Sequence, residues 1–424
     1  MTRLSLSKKK ISILLLEGVH DTALELFRER GYANIESLPA ALDEDLLIER
    51  IGGVHVLGIR SRTQLTPRVL EAANKLFCVG CFCIGTNQVD LDTARRLGVP
   101  VFNAPYSNTR SVAELVLGEI IMLMRGVFPK SMLLHRGGWM KSAKGCHEMR
   151  GKVLGIVGYG HIGSQLSVLA ESLGMRVIYY DIIKKLALGN ARSCSSLDDV
   201  LEKSDVVSLH VPDTPATRGM IGAAQIARMR KGSHLVNASR GKVVAIEPLA
   251  EALRSGRLDG AAIDVFPVEP VGNDEEFCSP LRGIESAILT PHIGGSTIEA
   301  QANIGAEVAD KLIDYSDNGS TIGAVNFVPV SLPIKVGGAR FLHIHRNVPG
   351  MLRAINEVFS ARDINISAQY LQTDAEIGYV VVDVDGQIDE KEVLGDLRRI
   401  EGTVRARFLW DGNELQPKSN GDQA

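Results

Sequence analysis

Short apolar runs and amphipathic stretches alternate along the chain, so the hydrophobic period switches repeatedly between 2 and about 3.6. Ile11–Leu16, Val54–Ile59, Phe77–Gly80 and Val99–Phe102 read as buried strands. Between them, Asp21–Arg30, Asp43–Ile51, Pro67–Ala73 and Leu91–Leu97 carry apolar residues at helical spacing. This alternation predicts a parallel sheet with helices on its faces. A longer helix is predicted over Thr109–Arg125, with Ser107, Asn108 and Thr109 as candidate N-caps. A second strand–helix series follows, its strands at Val153–Val157, Val177–Tyr180, Val206–Leu209, His234–Asn237, Ala261–Ile263 and Ala287–Leu289. Six parallel strands suit a doubly wound nucleotide-binding sheet. Thr297–Tyr315 reads as one more helix, and Pro329, Pro333 and Gly337-Gly338 as a linker. Beyond it the order changes to strand Phe341–His345, helix Gly350–Ala361, strands Ile364–Leu371 and Tyr379–Val384, helix Glu390–Ile400 and strand Val404–Trp410. That is the ferredoxin-like βαββαβ order. The polar stretch 412–424 lacks periodicity and is expected to be disordered.

Composition narrows the function classes. The 424 residues are 45% hydrophobic and 23% charged with a net charge of −3, ordinary for a globular protein and without the basic excess that nucleic acid demands. Lys8-Lys9-Lys10 before Ile11–Leu16 imitates a signal peptide, but the run is short and ends at Glu17. No stretch approaches a membrane span. A cytoplasmic location without membrane contact is expected. Of six cysteines, Cys78 and Cys81 have C-x-x-C spacing. They lie in a predicted strand with no second ligand pair, so buried thiols are expected there and no metal site.

One motif carries specific chemistry. Gly158-Tyr159-Gly160-His161-Ile162-Gly163 follows one predicted strand, opens a helix and precedes a second strand that ends at Asp181. In that context G-x-G-x-x-G is a dinucleotide fingerprint. Its glycines serve the turn, the pyrophosphate approach and helix packing, and the acid binds ribose hydroxyls. Asp181 favours NAD by repelling a 2′-phosphate, although Lys184 and Lys185 stand nearby. Ligands of such sheets bind beyond the carboxyl ends of the strands. There the chain offers Ala238-Ser239-Arg240-Gly241, Asp264-Val-Phe-Pro-Val-Glu269-Pro and Thr290-Pro-His292-Ile-Gly294-Gly295. Alcohol oxidation needs a base, a cation for the substrate carboxylate and a group that orients the base, and these segments supply candidates for each.

Together these motifs resemble those of the D-isomer-specific 2-hydroxyacid dehydrogenases. Ile59-Arg-Ser-Arg62, Gly80–Asp90 and Asn103–Leu115 resemble the members that oxidise 3-phosphoglycerate and carry one C-terminal ACT domain. The resemblance implies an α/β protein with two doubly wound parallel-sheet (Rossmann-like) domains plus a C-terminal ferredoxin-like βαββαβ ACT domain. It implies a discontinuous substrate-binding domain (1–107 and 297–336), an NAD-binding domain (108–296) and a regulatory domain (339–411). His292 would be the general acid/base, Glu269 its orienting carboxylate and Arg240 the cation on the substrate. NAD would contact Gly158, Gly160, His161, Ile162, Gly163, Asp181, Ala238, Ser239, Arg240, Asp264, His292, Gly294 and Gly295. Arg60, Ser61, Arg62 and Asn108 would join Arg240 on 3-phosphoglycerate, and His345, Asn347 and Asn365 would bind L-serine as feedback inhibitor. A homotetramer is expected. Two alternatives stay open at this level: a broader 2-hydroxyacid reductase acting on hydroxypyruvate, glyoxylate or 2-oxoglutarate, and a non-catalytic NAD-sensing scaffold.

Overall fold

The computed structural model describes residues 7–270, 272, 274–333, 338–386 and 388–409. Trp410, the 412–424 tail and part of the expected linker (334–337) lie outside them. The chain divides into two compact units, Tyr106–Gln301 and a first unit built from Met1–Pro105 with Ala302–Ala424.

In the first unit, β1 (Ser12–Leu15), β2 (Asn34–Ser37), β3 (Val56–Ile59), β4 (Cys78–Cys81) and β5 (Val101–Asn103) form a parallel sheet in the order β2-β1-β3-β4-β5. The sequence reading lacks β2. Its residues Asn-Ile-Glu-Ser are mostly exposed at the sheet edge, so no apolar run marks them. Cys78 and Cys81 are fully buried in β4, and burial pushes the Cys78 thiol up to about 12. Helix Ile298–Asp317 returns to this unit, where Ile304, Val308, Leu312 and Tyr315 join a core with Ile13, Leu15, Phe27 and Phe102.

The second unit begins with helix Thr109–Arg125. Val112, Val116, Ile120 and Leu123 recur at helical spacing and are buried, and Gly126 at φ 57 ends the helix by donating its N–H to the Leu123 carbonyl. A further helix, Val127–His135, follows at once. The sequence reading lacks this helix; its Pro129 lies in the first turn, where a proline removes an N–H that has no intrahelical partner anyway. The sheet comprises β6 (Val153–Val157), β7 (Arg176–Tyr180), β8 (Arg192–Ser193), β9 (Val206–Leu209), β10 (His234–Asn237), β11 (Gly260–Ile263) and β12 (Ala287–Leu289). All pair in parallel, in the order β12-β11-β10-β9-β6-β7-β8. The order reverses between β6 and β9, the switch point where such sheets bind ligands. The unanticipated β8 is two exposed residues at the edge.

The C-terminal part of the first unit is an antiparallel sheet of β13 (Ala339–Arg346), β14 (Ile366–Thr373), β15 (Ile377–Val384) and β16 (Thr403–Leu409), ordered β14-β15-β13-β16. Helices Met351–Ser360 and Glu390–Arg399 bury Ile355, Phe359, Val393 and Leu397 on one face. The segment anticipated as a linker instead packs Phe327, Val328, Val330 and Leu332 onto the other face, because Leu342, Ile344, Tyr379 and Val381 present an apolar surface there. Arg340 Nε and Nη2 donate to the two oxygens of Asp383 at 2.6 and 2.7 Å with both residues buried, and Nη1 donates to the carbonyls of Asn318 and Pro333. This sheet also engages the first one. The Arg95 guanidinium pairs with Asp374 at 2.6 Å, and that of Arg407 lies 3.8 Å from the centroid of the Phe77 ring.

Candidate active site

The fingerprint turn joins β6 to helix His161–Ser172. Gly158 has φ 91, and a Cβ there would lie 2.3 Å from the His210 carbonyl oxygen; one on Gly163 would lie 2.4 Å from the Gly158 carbonyl. Both positions therefore exclude side chains, one for backbone conformation and one for helix–strand packing. Around Gly160 a Cβ would meet no atom within 4 Å. That glycine leaves an open approach to the helix N-terminus, as a pyrophosphate requires, so the residues present fit a bound dinucleotide. His161 is exposed and its ring lies against Tyr106 with centroids 4.0 Å apart, while Ile162 is half-buried. Asp181 ends β7. Its oxygens accept the amides of Tyr159 at 2.8 Å and Ile183 at 2.9 Å, which ties the acid to the glycine turn.

At the ends of β10, β11 and β12 three expected residues come together. His292 Nδ1 lies 2.9 Å from Glu269 Oε2, and Glu269 Oε1 accepts the Phe266 amide at 3.0 Å. The hydrogen bond that His292 donates to Glu269 raises the imidazole pKa against burial, which lowers it. Burial pushes the Glu269 carboxyl up, but His292, the Phe266 amide and Arg240 outweigh it and hold the pKa below the ordinary range. With Nδ1 engaged, Nε2 is left as the reactive nitrogen. Arg240 is near enough for its charge to act on both partners, and the turn before it is held by buried Asn237. The Asn237 amide donates to the Arg240 carbonyl at 3.0 Å, and its oxygen accepts from the Ser239 hydroxyl at 2.8 Å. Ala238 lies in the same turn, half-buried against the β6 core.

His292 has φ 53, a left-handed conformation in a non-glycine residue. The loop is held by Asp264. Its backbone carbonyl accepts the His292 amide at 2.8 Å, and its carboxylate accepts the Ile293 amide, the Gly294 amide (each at 2.8 Å) and the Thr290 hydroxyl at 2.6 Å. The carboxylate thereby positions the histidine loop, a task that sequence did not signal. Asn108 caps the Thr109–Arg125 helix by position only. It is 9% exposed, its Oδ1 has no hydrogen-bond partner among the described residues, and it packs against Gly295, where a Cβ would lie 2.3 Å from its amide nitrogen.

In the first unit, Arg60, Ser61 and Arg62 follow β3 on a loop organised by buried Glu17. The Glu17 carboxylate accepts the amides of Arg60 at 3.1 Å, Arg62 at 2.9 Å and Thr63 at 2.9 Å. With the backbone clamped, Ser61 and Arg62 are exposed, while Arg60 is half-buried and its Nη1 donates to the Glu17 carbonyl at 3.4 Å. Sequence reading saw Glu17 only as the end of an apolar run.

The three expected effector residues are not brought together. His345 is buried at the end of β13, where burial lowers its pKa and keeps the ring neutral; Asn347 follows, its side-chain amide donating to the Asp374 carbonyl at 2.6 Å. Asn365 precedes β14, whose first residue Ile366 pairs with Val384, itself opposite Ala339 at the start of β13. Asn365 thus lies at the other end of the sheet, beside a cavity lined by Arg353, Asn356, Glu357 and Ser360.

Comparison with known proteins identifies the family. The family described as D-isomer specific 2-hydroxyacid dehydrogenase, NAD binding domain, matches residues 117–294, and the AHAS small subunit-like ACT domain matches 341–405. The chain is 59% identical to the D-3-phosphoglycerate dehydrogenase of Haemophilus influenzae over 96% of this chain and 99% of that one. It is 58% identical to the enzyme of that name from Escherichia coli K12 over 97% of this chain and all of the other. Among solved structures, the TT0316 protein of Thermus thermophilus superposes with a TM-score of 0.64 at 30% identity, covering 72% of this chain and 96% of that one. The chain belongs to the D-isomer-specific 2-hydroxyacid dehydrogenase family and is an NAD-dependent oxidoreductase with a C-terminal ACT domain.

Proposed function

We propose that this protein oxidises 3-phosphoglycerate reversibly at C2 to 3-phosphohydroxypyruvate, the opening step of L-serine biosynthesis. The observation that carries the substrate assignment is the 59% identity, across nearly both full lengths, to a D-3-phosphoglycerate dehydrogenase. Gly158, Gly160, His161, Ile162 and Gly163 would hold the NAD pyrophosphate, Asp181 the ribose, and Ala238, Ser239, Asp264, Gly294 and Gly295 the remainder. The nicotinamide, when bound, supplies the hydride acceptor. His292 Nε2 takes the C2 hydroxyl proton as the carbon–hydrogen bond is broken, and Glu269 stabilises the resulting imidazolium through Nδ1. Arg240 holds the substrate carboxylate and polarises the C2 oxygen, which becomes a carbonyl. Arg60 and Arg62 serve the phosphate, which guanidinium forks suit, with Ser61 and Asn108 as further hydrogen-bonding groups.

L-Serine is the proposed feedback inhibitor, bound where two copies meet. The separation of His345 and Asn347 from Asn365 supports this reading. β14 is an edge strand, and antiparallel pairing with its counterpart about a two-fold axis brings Asn365 of one copy toward His345 and Asn347 of the other. Such pairs would form part of a homotetramer in the cytoplasm. No helix among the described residues is long and apolar enough to cross a membrane.

The test is NADH consumption with 3-phosphohydroxypyruvate, with and without L-serine. Turnover suppressed by serine is expected. No turnover refutes the enzyme assignment for this substrate, and turnover indifferent to serine refutes only the regulation.

A further inference from the structure

Glu119 is a buried acid that the steps above do not use. It stands on helix Thr109–Arg125, which packs on β10 and β11, and it is wholly buried. Neither carboxyl oxygen has a hydrogen-bond partner among the described residues. An unpaired ionised carboxylate in a dry interior costs several kcal/mol, so the neutral form is favoured. Burial pushes this carboxyl up to about 8; the charge of Asp264 acts in the same sense and the Thr290 hydroxyl in the opposite one. Val236, Ala262, Leu166 and Ala170 supply apolar contacts in the core shared with this helix, and the elements packed on it also carry buried His234 and Asn237 on β10 and buried Ser167 on helix His161–Ser172. Asp264 is the charged group that acts on Glu119, and Thr290 the hydroxyl.

Those two groups hold the His292 loop. Thr290 donates to Asp264, whose carboxylate accepts the Ile293 and Gly294 amides. His292 occupies left-handed backbone, a strained conformation for a residue with a Cβ that its surroundings must hold. With its proton Glu119 is a neutral acid within reach of the Asp264 charge; its loss would set two like charges against each other in low dielectric.

We propose that Glu119 is a positioning residue, a proton-bearing carboxyl behind the Thr290–Asp264 pair that keeps the loop carrying His292 in its working conformation. The inference rests on His292 being the acid/base group of the proposed reaction. Two variants of the full-length protein test it: Glu119→Gln keeps a neutral donor, and Glu119→Leu removes it at similar volume. In NADH-linked reduction of 3-phosphohydroxypyruvate, Glu119→Leu should lose about tenfold to a hundredfold in kcat. Glu119→Gln should stay within about threefold of the parent at neutral pH, since it retains the neutral donor. As pH rises through about 8, the parent should lose kcat more steeply than Glu119→Gln, which has no proton to lose there. Hydrogen exchange at the Ile293 and Gly294 amides reads the loop without substrate. It should accelerate in Glu119→Leu and not in Glu119→Gln, which separates failure of this inference from failure of the substrate assignment. Equal kcat and equal exchange in the two variants overturn the proposal. If Glu119→Leu does not fold, the pH profiles decide: parallel profiles for the parent and Glu119→Gln overturn it, and a flattened alkaline limb in Glu119→Gln upholds it.

Discussion

Replacing Glu269 by glutamine removes one charge from the His292 pair while leaving an oxygen for Nδ1. The pair is 2.9 Å apart, with side chains 54% (His292) and 35% (Glu269) exposed. Taking charge centres about 4 Å apart, Coulomb's law gives about 1 kcal/mol in water and about 4 kcal/mol at an effective dielectric of about 20. Half-exposed groups are screened toward the lower figure, so about 1–2 kcal/mol is the working value, or about one pKa unit on His292. The sign follows from the folded-state shifts. The His292 pKa is raised and that of Glu269 lowered, so the pair stabilises the fold most where the acid is ionised and the imidazole protonated. That contribution is lost as pH rises through the raised His292 pKa and as it falls through the lowered Glu269 pKa. Reduction of 3-phosphohydroxypyruvate needs protonated His292, so kcat/KM for that direction declines as pH rises through the free-enzyme pKa. In Glu269→Gln this alkaline limb should move about one unit lower, and the acid limb of 3-phosphoglycerate oxidation should move with it. The assay is initial-rate NADH absorbance in both directions across pH 5 to 9. A limb that stays in place, or moves upward, would falsify the assignment of Glu269 as the group that raises the His292 pKa.

Three further outcomes follow from particular contacts. Gly158→Ala adds a Cβ 2.3 Å from the His210 carbonyl at φ 91; the strain of about 1–3 kcal/mol should weaken NADH binding by at least about fivefold in a fluorescence titration, and unchanged affinity would count against the turn. Arg340→Met leaves the buried Asp383 carboxylate without its partner and should cost about 3–5 kcal/mol, visible as a lower Tm for the C-terminal sheet in calorimetry. Arg95→Ala breaks the pair with Asp374, whose carbonyl accepts from Asn347. It should raise the L-serine concentration for half-inhibition by about threefold to tenfold while kcat without serine stays within about twofold, and an unchanged inhibition curve would refute the coupling.

The strand-end chemistry was legible from sequence because its cues are local. A fingerprint between two strands, an arginine, a glutamate and a histidine just past three further strands all announce themselves by spacing. The groups that hold them do not. Glu17 and Thr290 look like ordinary polar residues, and each acquires its task only when a distant loop presents amides or a carboxylate to it, while Asn237 holds its own turn through Ser239 and Arg240. β2 and β8 escaped notice because an edge strand need not be apolar. In sequence Glu119 is one polar position on a helix of apolar spacing, and its burial depends on which sheet covers that face.

Sequence by itself determined the alternation of strand and helix, the nucleotide turn, and the residue types able to move a proton and grip an anion, since these follow from periodicity and from glycine's conformational range. Tertiary structure alone decided that Asp264 serves the His292 loop, that the 327–332 segment closes the C-terminal sheet instead of linking it, and that the effector residues part to opposite ends of one sheet. Local spacing constrains a residue's neighbours within a few positions along the chain. Which buried carboxylate meets which amide is set by how separate elements pack, where desolvation makes each pairing far stronger than in water.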